Sequence, residues 1–243
     1  MKRICLVCIC TVMLMSAKTM MAENWQTVYQ TDFSSEPGWT TNNSSNYYWD
    51  SASGTYYQRE IDQSEEYSYK LLPSLQAGQS WRLEYDIKPD LSYSGAANAR
   101  LSFTQSGMNI NESGAYITLD FVPDSNPMLL WKDSQGYSSY EEFHPTVYSL
   151  DIWYHGLVEW NPAAGTLSAR ITVKDTGESL GENIASGIGS FDGIDRLAMS
   201  TVGDNLMGTG ISYIDNIVVS QTPEPASLLL LGLGSLALRR GRK

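Results

Sequence analysis

From Trp81 to Lys88 apolar and charged residues alternate without a break, Trp-Arg-Leu-Glu-Tyr-Asp-Ile-Lys, which is the period of a strand with one buried face. Leu167, Ala169, Ile171 and Val173 alternate in the same way with Ser168, Arg170, Thr172 and Lys174. Residues 100–104, 116–122 and 211–219 are further strand candidates. Asn161-Pro162-Ala163-Ala164-Gly165 separates residues 155–160 from 167–174 and predicts a hairpin. Between residues 23 and 221 no helix-period run exceeds about ten residues. Many short strands divided by turns predict an all-β sandwich or barrel.

The two ends of the chain break this pattern. At the C-terminus Pro223-Glu224-Pro225 precedes an apolar run from Ala226 to Leu238, closed by Arg239-Arg240-Gly241-Arg242-Lys243. As a helix the run is about 20 Å long at ~1.5 Å per residue, short for a bilayer core of about 30 Å. It makes a marginal transmembrane span, suited to a temporary stop, and the basic end belongs on the cytoplasmic side. At the N-terminus Lys2-Arg3, the apolar stretch Ile4 to Met15 and the small residues Ala17 and Ala22 form a secretory signal peptide. Residues 1–22 are therefore read as the signal peptide, with cleavage after Ala17 or Ala22, 23–221 as the folded body and 222–243 as a separate tail.

The tail resembles the PEP-CTERM sorting signal of Gram-negative bacteria that make exopolysaccharide. Pro223, Glu224 and Pro225 match its motif, and Arg239 and Arg240 its basic end. The resemblance implies a membrane partner, an exosortase-type transpeptidase that processes the tail. It also implies transient inner-membrane anchoring, and a final place at the cell surface or in the extracellular matrix.

Setting the ends aside changes the composition. Cys5, Cys8 and Cys10 all lie in the signal peptide, so the body has no disulfide and no thiolate site. Of 16 cations and 27 acids, seven cations and one acid lie in the ends, leaving nine against 26 and a net charge of −17 for the body. Such a surface excludes nucleic acid as a partner. It favours Ca²⁺.

Within the body, Trp153-Tyr154 leading into a strand, then Asn161-Pro162-Ala163-Ala164-Gly165-Thr166, resembles the hairpin of concanavalin A-like and laminin G-like domains. Tyr213-Ile214-Asp215-Asn216-Ile217-Val218-Val219 resembles their last strand, and Asp32-Phe33 with Gly38-Trp39 their opening segment. The resemblance implies a two-sheet antiparallel jelly roll. That family holds lectins, glycoside hydrolases, polysaccharide lyases and non-catalytic domains, so fold does not settle function.

A glycosidase of this fold carries acids at alternating positions of one strand. Glu84 and Asp86 share a face, but Lys88 stands where a third acid is wanted, and Arg82 and Lys88 also suit a solvated, charge-alternating face. His144 and His155 are the histidines a lyase could use. The binding alternative rests on aromatic crowding around the polar loop 40–46. Trp39, Tyr48, Trp49 and Tyr57 are the candidate contacts to a polysaccharide, since aromatic faces stack on sugar rings. Alternation places Tyr48 opposite Tyr47 and Trp49. Asp215, among apolar strand neighbours, and Asp32, if the terminal strands pair, are candidate ligands of a structural Ca²⁺. A structural or adhesive surface role without a defined ligand remains the alternative reading.

Overall fold

In the computed structural model the alternating segments become fifteen strands in two sheets. Residues 25–61, 66–73, 75, 78–93, 99–105, 114–121, 126–144, 148–200 and 209–223 are described. None of them is helical. The expected signal peptide and the expected C-terminal hydrophobic helix lie outside the described residues.

The first sheet runs in the order β13 (Ser179–Ser186), β12 (Thr166–Val173), β11 (Tyr154–Asn161), β6 (Trp81–Tyr93), β15 (Thr209–Gln221), β4 (Thr55–Ile61), β3 (Tyr47–Asp50). In addition, β1 (Gln26–Thr31) pairs with β15, so the terminal strands of the body are neighbours. The second sheet runs β10 (Ser138–Glu142), β9 (Met128–Lys132), β8 (Tyr116–Phe121), β7 (Ala99–Thr104), β14 (Arg196–Ser200), β5 (Tyr67–Leu71), β2 (Thr40–Thr41). Every pairing with a defined register is antiparallel. Thr27–Gln221 form one compact unit.

The core is built by the period-two rule. Trp81, Leu83, Tyr85 and Ile87 of β6 are buried, as are Tyr154, Val158 and Trp160 of β11 and Leu167, Ala169 and Ile171 of β12. Leu101, Phe103, Ile117, Leu119, Phe121, Leu129 and Trp131 of the second sheet belong to the same apolar cluster. Two hydroxyls cross between the sheets. Tyr56 of β4 shares a hydrogen bond with Ser68 Oγ of β5 at 2.7 Å, and Tyr85 donates to the Leu119 carbonyl at 3.3 Å.

Two features depart from the sequence pattern. In β6 the sequence pattern of alternating apolar and charged residues is interrupted by Pro89, which has no N–H to donate to a neighbouring strand. The strand nevertheless continues to Tyr93, because the register shifts there: Ser212 faces Pro89 and Ile211 faces Leu91, leaving Asp90 as the extra residue of a bulge. The outward positions of β7 and β8 are not a solvent face either. Arg100 and Asp120 are 2% and 1% exposed and form an ion pair at 3.5 Å, with Ser102, Thr104 and Thr118 buried around them.

Gly156 shows how tightly the sheets meet. A β-carbon there would stand 2.9 Å from Leu119 Cδ2 and 3.3 Å from Tyr85 Cε1. Gly156→Val should therefore overpack the core and cost about 1–3 kcal/mol. That corresponds to a fall in melting temperature of roughly 2–4 °C per kcal/mol for a domain of this size, read by calorimetry. An unchanged melting temperature would contradict this packing.

Candidate functional site

The outward face of the first sheet carries the polar chemistry. Its positions follow from register. Asp86 of β6 lies between His155 of β11 and Asp215 of β15, while Lys88 lies beside Tyr213. Tyr213 in turn lies beside Tyr57 of β4, and Tyr57 beside Tyr48 of β3.

The tyrosines form a ladder across three strands. Tyr48 and Tyr57 stack with ring centroids 4.6 Å apart, Tyr213 meets Tyr57 edge-on at 5.6 Å, and the Lys88 ammonium lies 4.8 Å from the Tyr213 ring. Lys88 is also paired with Asp151 at 3.0 Å. Because the rings lean on one another, the ladder presents edges and hydroxyls outward. Tyr48, at the edge-strand end of the ladder, is 40% exposed. Burial pushes the Tyr57 and Tyr213 hydroxyls up, and nearby acidic groups, Asp90 among them, push in the same direction. Both stay neutral hydrogen-bonding groups at ordinary pH.

Of the four aromatic contacts expected from sequence, this face brings together Tyr48 and Tyr57. Trp39 and Trp49 turn the other way and pack partly buried against the core. Trp39 Nε1 donates to Tyr29 Oη at 3.0 Å, and Trp49 Nε1 to the Phe33 carbonyl at 2.8 Å. Tyr213 joins the ladder instead, which cross-strand register reveals and the linear sequence does not.

Two strands along, Asp86 is 3% exposed and accepts three hydrogen bonds: His155 Nδ1 at 2.9 Å, Lys174 Nζ at 2.8 Å and Asn216 Nδ2 at 2.8 Å. Burial alone would raise its pKa, but these donors outweigh burial and hold the carboxyl below the usual range. Asn216 reaches Asp86 because β15 bulges between Asp215 and Val218, with Asn216 in the left-handed region at φ 50°. Asparagine tolerates that conformation better than most residues. Its own N–H and side-chain amide also hold the Asp215 carboxylate, at 2.7 and 3.0 Å. Asp215 is pushed up, mainly by burial, with the Asp86 and Asp32 charges adding to it and Asn216 and Lys174 opposing it.

Asp32 follows β1, and with Gln30, Thr31, Ser35 and Asn216 it lines a surface pocket of about 360 Å³. The residues here do not fit a Ca²⁺ cage, which takes about six to eight oxygens. Asp32 is turned onto Ser34, accepting from its N–H at 3.0 Å and its hydroxyl at 2.7 Å. Asp215 is held by Asn216, and the third nearby acid, Asp86, already has the Lys174 ammonium against it. Among the described residues no group of three or more His, Cys, Asp or Glu side chains is placed to share an ion.

The geometry also bears on catalysis. Glu84 is paired with Arg82 at 3.0 Å, and the Asp86 carboxyl is held below the usual range, which does not suit the proton-donating acid of a glycosidase pair. His155 is bracketed by carboxylates, Asp86 on Nδ1 and Glu84 at 3.8 Å from Nε2. His144 is exposed and paired with Glu142 at 3.0 Å.

Comparison with known proteins agrees with this architecture. Residues 221–243 match the PEP-CTERM protein-sorting motif. The chain therefore carries the sorting signal of a protein directed to the cell envelope. Comparison with curated proteins finds no significant match. Among solved structures, the winged bean acidic lectin complexed with methyl-α-D-galactose superposes at a TM-score of 0.54, with 10% identity over 82% of this chain and 99% of that one. Lectin II from Ulex europaeus gives 0.52, with 10% identity over 80% and 98%. The lectin from Bauhinia forficata in complex with GalNAc gives 0.51, with 11% identity over 82% and 99%. The body is a concanavalin A-like jelly-roll sandwich of the kind lectins use.

The two acids of the cluster should answer oppositely to pH. Asp86 has a depressed pKa, so its contribution to stability is present above the unfolded aspartate value of about 3.9 and lost as pH falls through the folded value. Asp215 has a raised pKa, so its penalty is absent below about 3.9 and grows as pH rises from there through the higher folded value. Asp86→Asn should lower the melting temperature at pH 7, and Asp215→Asn should not. The Asp215 difference should be gone below about pH 4, where the Asp86 difference only begins to shrink. Melting curves from pH 3 to 8 test this, and the reverse order of the two variants at pH 7 would refute the assignment.

Proposed function

We propose that this chain is an exported envelope protein whose sandwich holds polysaccharide without cutting it. The observation that carries the reading is the outward face of the first sheet. There the exposed ring of Tyr48, the hydroxyl edge of Tyr57 and Tyr213, and a pocket lined by amide, hydroxyl and carboxylate groups lie on neighbouring strands. A ring face for the apolar side of a sugar, beside fixed hydrogen-bonding groups for its hydroxyls, is the mixture a sugar site needs. The galactoside and GalNAc complexes of the lectins named above support the same ligand class by likeness of fold. The ion pairs of Glu84 and Asp86 favour binding over hydrolysis.

The acidic body favours a neutral polysaccharide, or an anionic one bridged by cations, over a bare polyanion. In this reading the tail holds the protein briefly in the inner membrane of a Gram-negative cell. An exosortase-type transpeptidase then processes it and leaves the domain at the cell surface or in the extracellular matrix.

Titration calorimetry against a panel of polysaccharides, with product analysis beside it, tests the function. Binding without oligosaccharide release is expected. Tyr48→Ala should weaken it about tenfold, or ~1.4 kcal/mol. Release of oligosaccharide that Glu84→Gln abolishes would make the protein an enzyme. A folded chain that binds no glycan would make it a structural or adhesive component. Mass spectrometry of the protein from its host tests the sorting, with a species lacking both Met1 and Lys243 expected. Recovery of the intact chain alone would sink that part.

A further inference from the structure

A second pocket lies at the end of the sandwich where β6 begins and β11 finishes. Its volume is about 230 Å³. Trp81 and Trp160 stand opposite each other across these strands, and Phe191 from the β13–β14 connection meets both edge-on, at 6.2 and 4.9 Å. These three buried rings supply an apolar floor. The wall includes Gln79, Ser190 and Asp192.

Gln79 is the unusual member. It is 6% exposed, yet its Oε1 accepts no hydrogen bond within the protein. Leaving a buried acceptor unmet costs about 1–3 kcal/mol, so such an atom calls for a partner. The last torsion of a glutamine is soft, so its amide can turn toward a donor in the pocket.

The opposite wall is held rigidly. The buried Asp133 carboxylate accepts from Gly189 N–H at 3.2 Å, and from the N–H groups of Gln135 and Tyr137 at 3.0 and 2.9 Å. Ser134 N–H donates to the Ser190 carbonyl at 2.8 Å. Any side chain at 189 would collide with Asp133, since a β-carbon there lies 2.6 Å from Oδ2. The pocket is therefore shaped before a ligand arrives, which lowers the ordering cost of binding.

The chemistry selects a ligand. The floor is apolar and aromatic. The wall offers acceptors, the Gln79 carbonyl and the Asp192 carboxylate, the latter oriented by the Ser190 hydroxyl at 2.8 Å. No Lys or Arg is among the described residues that line it. A small ring with an apolar face and a rim of hydroxyl donors fits; an anionic one does not. We propose that this end pocket is a separate carbohydrate site that takes one neutral hexose ring, with Gln79 as its buried hydrogen-bond acceptor. The site is distinct from the outward face of the first sheet, and either can fail alone.

Tryptophan fluorescence of the purified full chain, titrated with the methyl glycosides of galactose, glucose and mannose and with glucuronate, reads the pocket through Trp81 and Trp160. A saturable change is expected with at least one neutral glycoside and none with glucuronate. Gln79→Leu should weaken that response at least about tenfold without lowering the melting temperature, because it removes an unmet acceptor. Should Gln79→Leu fail to fold, Asp192→Ala on the exposed wall should give the same weakening. Tyr48→Ala should leave it unchanged. The proposal is overturned by wild-type response in folded Gln79→Leu, by equal response to glucuronate, or by no response to any glycoside, in which case water alone meets Gln79. Loss in Tyr48→Ala alone overturns the end pocket and leaves the outward-face reading standing.

Discussion

Each sheet has one face that must leave water, and neither can bury it alone. That constraint fixes the rest. Once Trp81, Leu83, Tyr85 and Ile87 point inward toward the other sheet, Arg82, Glu84, Asp86 and Lys88 have to point out. The same logic turns His155 outward from β11 and Tyr213 and Asp215 outward from β15. The outward face of the first sheet is thus a by-product of core formation. Its spacing across strands is the strand spacing itself, about 4.8 Å. The close approach at Gly156, where a methyl group has no room, shows how little freedom the two inner faces keep.

On the outward side the governing problem is charge. A carboxylate as buried as Asp86 needs full compensation, and it receives donors from β11, β15 and the end of β12. Lys174 supplies the cation there. The bulge in β15 supplies the amide, at the cost of placing Asn216 in a left-handed conformation. The same partners hold Asp86 in place: its carboxylate is tied to three strands' worth of donors before any ligand is considered.

Much of this was legible in the sequence, and the limits have physical causes. The β6 and β12 strands were legible because their inner residues are apolar and their outer ones polar or charged, whereas the bulge in β15 puts Ile211, Tyr213 and Asp215 on the face opposite Ile217 and Val219, which plain alternation does not foresee. The β5 strand was not legible, because its inward residue Ser68 is polar and is buried through a hydrogen bond to Tyr56. Alternation correctly separated Tyr48 from Tyr47 and Trp49. It could not add Tyr213, which lies more than 150 residues further along the chain. Charge was misleading at Arg100 and Asp120, which pair under cover on a face that composition assigns to solvent. Lys174 read as one more solvated lysine, since nothing local tied it to Asp86. Gln79 carried no signal at all; its interest lies in a missing partner, and only the folded chain can lack one.

The last strand of the body, β15, lies in the interior of its sheet, against β6 on one side and β4 and β1 on the other. A polypeptide delivered from its N-terminus meets this piece at the very end. Until it arrives, β1 and β4 have no path to β6, and the pairings that close the sheet span most of the chain. Long-range closure of this kind is slow. The timing matters because the sorting tail follows β15 at once. The first sheet cannot close until β15 is present, so its closure waits on residues that run directly into the sorting motif.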